Sequence, residues 1–140
     1  GVGSDSNIHI ALWEELATLD YSQRLRDLSR AAMATPDRST GRYLFDAASS
    51  AGTQAAERSS GQIAEGKIAD LMAVSTDNEF LCNRSGDAVL DSLIFTGRGR
   101  NCVTDVWSAG RHMVRDGRHI RRENVVARFM EVLKQLGQDL

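Results

Sequence analysis

Apolar residues at Ile10, Leu12, Trp13, Leu16 and Leu19, then Leu25, Leu28, Ala32 and Met33, recur near the 3.6-residue helical period, interrupted by the run Asp20 to Gln23. The pattern predicts one long helix or two abutting ones, with Glu14, Glu15, Arg24, Arg26, Asp27 and Arg30 as a solvated face. Thr35-Pro36-Asp37 is expected to end it, because the residue before a proline is pushed out of the helical region. Ser39 or Thr40 then caps a second predicted helix through Arg42, Leu44, Phe45, Ala47 and Ala48. Gly52 is expected to close it, with Thr53 opening a further turn through Ala55 and Ala56.

Beyond about residue 58 the pattern changes to that of strands. Ser59-Ser60-Gly61 leads to Gln62-Ile63, a Glu65-Gly66 turn follows, and Ile68 to Val74 reads as a short apolar strand. Asp87 to Leu93 has helical spacing at Val89, Leu90 and Leu93. Val103 to Ala109 alternates as a half-buried strand does, Gly110-Arg111 turns it into His112 to Arg115, and Asp116-Gly117 is a strong hairpin signal. Arg122 to Leu136 predicts a closing amphipathic helix on Val125, Val126, Phe129, Met130, Leu133 and Leu136. Three regions follow: a helix-rich one over 1–58, a strand-rich one over 59–121, and a terminal helix over 122–140.

Composition narrows the function classes. With 140 residues, 41% hydrophobic, 26% charged and one proline, the chain is ordinary globular material of about one domain. A net charge of −2 and a pI near 5.9 argue against a general nucleic-acid binder, which needs a concentrated surplus of Lys and Arg. Cys82 and Cys102 lack metal-type spacing and read as free thiols of a reducing compartment. No apolar run approaches the roughly 18 residues of a membrane span, and the start lacks a signal-peptide pattern. The expected setting is the cytoplasm, with a small-molecule or protein partner.

The stretch that carries candidate chemistry is Gly1-Val2-Gly3-Ser4-Asp5-Ser6-Asn7. It reads as a strand end delivering the Asp5 carboxylate to a strand–helix junction, where α/β enzymes place catalytic groups. A second reading fits the same residues: Asp5, Ser6 or Asn7 caps the following helix by accepting from its free N–H groups. A strand beginning at the first residue leaves its ladder groups unpaired unless neighbours come from elsewhere, so a piece of a longer protein is expected.

Three motifs in order resemble the amidohydrolase superfamily. Gly3-Ser4-Asp5-Ser6-Asn7 resembles the end of its eighth barrel strand, which carries a single aspartate. Gly61-Gln62-Ile63-Ala64-Glu65-Gly66-Lys67-Ile68-Ala69-Asp70-Leu71 resembles its G-x-I-x-x-G-K-x-A-D-L signature, and Val106 to His119 its following V-x-x-x-G-x-x-V-x-x-G hairpin. Within the superfamily, Gly3-Ser4-Asp5-Ser6-Asn7-Ile8 with Leu12-Trp13-Glu14-Glu15-Leu16, then Tyr21-Ser22-Gln23-Arg24-Leu25-Arg26, Gly41 to Ala48 and Asp105-Val106-Trp107 are similar to the formimidoylglutamate deiminase subfamily.

The resemblance implies an α/β fold class: the C-terminal part of a metal-dependent (β/α)8 barrel, its last strand and following helices, with part of a small accessory β-domain and a C-terminal helix. A whole barrel needs about 250 residues, so the histidine ligands of the earlier strands would lie outside this chain. It further implies zinc as cofactor in the complete enzyme, with Asp5 as both metal ligand and catalytic proton carrier, and no substrate-binding residue is assigned. His9 could sit near the pocket mouth or on the surface, and His112 and His119 are expected to face solvent. The implied reaction is hydrolysis of N-formimidoyl-L-glutamate to N-formyl-L-glutamate and ammonia, by a homodimer without nucleic-acid or membrane partners. Leu12, Leu16, Leu19, Leu44 and Phe45 would then face the barrel strands. Two rival readings are a superfamily deaminase or chlorohydrolase acting on a heteroaromatic ring, and a non-enzymatic interaction module.

Overall fold

The computed structural model describes residues 1–5 and 10–138. Helix α1 spans Leu12–Asp27, with Glu14 and Glu15 in its first turn and Arg24 and Arg26 in its last, each sign matched to the helix dipole. It ends at Leu28, whose left-handed φ of 49° lets its N–H donate to the Arg24 carbonyl. The helix therefore stops well before Pro36, against expectation. The apolar period continues past Leu19, but Leu25 and Leu28 are 78% and 92% exposed, so no core lies beneath them to extend the helix. Thr35-Pro36-Asp37-Arg38 instead forms a tight turn closed by a bridge between Thr35 and Arg38.

Helix α2 covers Thr40–Ala55, and of the two candidate caps, Ser39 and Thr40, it is the Ser39 hydroxyl that accepts from the Arg42 N–H at 3.2 Å. It runs through Gly52 rather than ending there. A glycine inside a helix costs only about 1 kcal/mol relative to alanine, and a Cβ at Gly52 would meet nothing within 4 Å, so no packing demand stops the helix there. Helix α3, Asp87–Phe95, binds the start of α2 from the side. Asp87 accepts from the Ser39 N–H at 3.2 Å and pairs with Arg42 at 2.8 Å, while Asp91 accepts from the Gly41 N–H at 2.7 Å. Two carboxylates of one helix thus satisfy the N-terminal N–H groups of another. A short turn α4, Gly99–Cys102, was not foreseen and leads directly into the sheet.

The sheet contains β1 Leu71–Val74, β2 Val103–Ser108, β3 Arg111–Arg115 and β4 Arg118–His119, in that order and antiparallel throughout. Both hairpin turns have two residues at positive φ: Ala109 at 49° with Gly110 at 76°, and Asp116 at 48° with Gly117 at 72°. That geometry matches the strand twist and explains the Asp-Gly signal. The first strand is shorter than predicted. Asp70 N–H bonds to the Ile68 carbonyl at 2.8 Å, which turns the chain and keeps Ile68 to Asp70 out of the ladder. Helix α5, Arg122–Gln138, closes the described chain where the sequence places it.

The core gathers Trp13, Leu16 and Ala17 of α1, Leu44 of α2, Leu90, Leu93 and Ile94 of α3, and Leu81 and Cys102. Trp13 stacks on Phe45 with centroids 6.0 Å apart, joining α1 to α2. Leu16 and Leu44 are 1% and 3% exposed, so they belong to this chain's own core and face no outside strand; Leu12 stays 43% exposed. Among the described residues there is no barrel and no parallel strand pair, and Gly1 to Asp5 join no sheet. The arrangement is three helices packed together beside an antiparallel sheet, whose Val74 packs against the helical core. A barrel strand exists only through ladder partners on both sides, and these residues contain none for the first segment.

Candidate functional site

Asp5 is exposed and holds a left-handed φ of 59°, a region that aspartate tolerates better than most residues because its short carboxylate can bond locally. The residues before it lie over α2. Gly1, Val2, Leu12, Phe45, Ala48 and Met72 line a groove of about 290 Å³ with Ser49 and Gly52, so the first segment is seated on apolar surface between α2 and β1. The capping alternative fails for Asp5. The N-cap of α1 is Ala11, extended at φ −149° and without a side-chain cap, six positions further on. Ser6, Asn7 and His9, the other candidates here, lie outside the described residues.

Among the described residues no three His, Cys, Asp or Glu side chains are grouped to hold a metal ion. A tetrahedral zinc site needs three or four donors, and Asp5 is one exposed carboxylate. These residues therefore fit a zinc ion only as the source of a single oxygen ligand. Cys102 is buried and free, its thiol pushed up by burial, and Cys82 is exposed and free.

His112 is not solvent-facing as expected. It is half-buried, stacks on Trp107 at 4.6 Å, and shares a 2.7 Å hydrogen bond between its Nε2 and Asp105 Oδ1. That bond from His112 is the main cause holding the Asp105 carboxyl below its usual range. An ionised carboxylate only accepts, so Nε2–H donates and the pair fixes the imidazole orientation. The pairing spans the β2–β3 irregularity at Val106 and Trp107, where it braces the strands. His119 is exposed and accepts from the Arg121 N–H at 3.1 Å through Nδ1.

The G-K-x-A-D-L stretch has a mechanical explanation. Asp70 accepts from the Ala109 N–H at 2.8 Å and takes a forked set of bonds from Arg58 at 2.9 to 3.2 Å. The backbone adds a bond from Gly110 N–H to the Ala69 carbonyl at 2.9 Å. Asp70 therefore ties the end of the helical region to the β2–β3 turn. The Ala109 bond, then Arg58, lowers its carboxyl below the usual range. Sequence reading noted the motif but missed this role, because both partners are distant in the chain.

No family model matches the chain. It is 42% identical over 137 residues, 97% of its length, to formimidoylglutamate deiminase of Pseudomonas aeruginosa. It is also similar to the crystal structure of an amidohydrolase from Brucella melitensis, with 39% identity, a TM-score of 0.85 and 97% of this chain covered. The chain spans about 30% of the length of each of these relatives. That coverage fits a C-terminal portion, and no helix among the described residues is long and apolar enough to cross a membrane. Sequence and structure therefore agree that the chain resembles the amidohydrolase superfamily over nearly all its residues, and formimidoylglutamate deiminase within it.

Proposed function

We propose that this chain is the C-terminal portion of a hydrolase that converts N-formimidoyl-L-glutamate and water to N-formyl-L-glutamate and ammonia. The observation that carries this reading is the 42% identity across 97% of the chain. In it, Asp5 is the proton carrier and one oxygen ligand of a zinc ion whose remaining ligands come from outside these residues. The metal, when bound, supplies Lewis acidity to the site.

Asp5 takes a proton from the attacking water as the new C–O bond forms at the formimidoyl carbon. It returns that proton to the terminal imino nitrogen. It then takes the proton of the newly added hydroxyl and passes it to the same nitrogen as the C=O forms, the C–N bond breaks and ammonia leaves, so both protons of the water end on ammonia. The expected substrate is small and the setting cytoplasmic.

The test is a chimaera in which these residues replace the matching 30% of the Pseudomonas aeruginosa deiminase. It should release ammonia from N-formimidoyl-L-glutamate and not from an amino-substituted heteroaromatic ring. In that protein Asp5→Asn keeps the shape but removes the proton acceptor, so kcat should fall by roughly 10² to 10⁴ while KM changes much less. A folded chimaera with no deiminase activity overturns the assignment. Near-normal turnover of the Asp5→Asn protein removes Asp5 from the chemistry.

A further inference from the structure

Helix α5 is amphipathic yet uncovered. Every residue from Arg122 to Gly137 is exposed, including Phe129 at 57%, Met130 at 53%, Leu133 at 50% and Leu136 at 56%. Seventeen residues are marginal as an isolated helix in water, so such a face implies a surface that packs against it.

The width of the apolar stripe says what kind of surface that is. At 3.6 residues per turn, Val132 marks one edge and Met130 the other, with Val125, Leu136, Phe129, Leu133 and Val126 between them, an arc of about 160°. A two-helix seam uses a narrower stripe, whereas a helix lying on a folded body buries an arc above about 100°. A second copy of α5 would therefore cover only part of the stripe. Both relatives carry the matched region within chains whose other 70% or so lies beyond it, since the match takes up 30% of each.

We propose that the apolar stripe of α5 is a docking surface for the unmatched part of a relative-length hydrolase polypeptide, within the same molecule. This rests on the hydrolase reading above. The stripe clamps the end of the small sheet region to the larger body, and the polar face with Arg128, Glu131 and Lys134 stays in water.

Amide hydrogen exchange tests it, in the isolated 140 residues and in the chimaera. Exchange over residues 125–136 should slow by at least about 100-fold in the chimaera, because docked helices open far less often than free ones. Phe129→Asp and the milder Leu136→Ser should return α5 to fast exchange, while Lys134→Asp on the polar face should not. Equal, fast exchange in both proteins overturns the proposal, as does protection that disappears when the chimaera is diluted to a monomer, which would assign the stripe to a second copy. Ammonia release is read separately: a chimaera that deiminates with an unprotected α5 sinks the docking and leaves the reaction standing.

Discussion

Asp91 and Gly41 show how one atom decides packing between two helices. A Cβ on Gly41 would sit 2.6 Å from Asp91 Oδ1 and 2.8 Å from the Asp91 backbone nitrogen, closer than real contacts allow. Glycine is what permits the Gly41 N–H to reach Asp91 at 2.7 Å. Gly41→Ala should push α2 from α3, break that cap and destabilise the chain by about 1 to 3 kcal/mol, as overpacking does. Urea denaturation measures it. A change within experimental error would mean that α3 shifts freely and that the contact is not tight. Asp20 is a second informative residue: it is fully buried, 2.6 Å from Arg24, whose guanidinium lies over the Tyr21 and Phe95 rings. Arg24 thus serves both as counter-ion and as a lid over the α1–α3 contact.

At the scale of elements, carboxylates fasten the pieces. Asp87, lowered first by Arg42 and then by the Ser39 N–H, joins α3 to α2; Asp70 joins the 58–70 segment to the β2–β3 turn. Each has a folded pKa depressed below its unfolded one. Their stabilising contributions are therefore present above the ordinary carboxylate range, near pH 4, and are lost as pH falls through the lower folded values. Melting temperature should be flat near neutrality and drop in acid. Asp70→Asn should lower it at neutral pH and flatten the acid limb, because the variant has no proton to take up. An unchanged acid limb in Asp70→Asn would place the acid sensitivity elsewhere.

For the whole molecule, the helical core and the sheet are each small, and much apolar surface remains open at Leu12, Met72 and along α5. Contiguous apolar area of this kind marks an interface. The isolated 140 residues should bind a hydrophobic dye strongly and self-associate at micromolar concentration, which sedimentation and fluorescence read directly. A dye-silent monomer would mean that these faces are tolerated in water. The same preparation should retain no stoichiometric zinc, since one carboxylate does not hold a divalent ion tightly. Metal analysis that finds one tightly bound ion per chain would contradict the site described here.

The sequence alone determined the elements whose signals are local. A cap of α2 at Ser39 or Thr40, the Asp116-Gly117 turn, α3 and the amphipathic α5 were legible because capping, positive φ and helical period act within a few residues. Tertiary structure decided what depends on remote partners. It ended α1 at Leu28 where no core lies beneath the continuing period, turned Leu16 and Leu44 inward, and paired His112 with Asp105. The resemblance carried by the motifs pointed to Asp5. Whether a strand forms around it depends on ladder partners that no local pattern encodes, because a strand's hydrogen bonds are made with other segments.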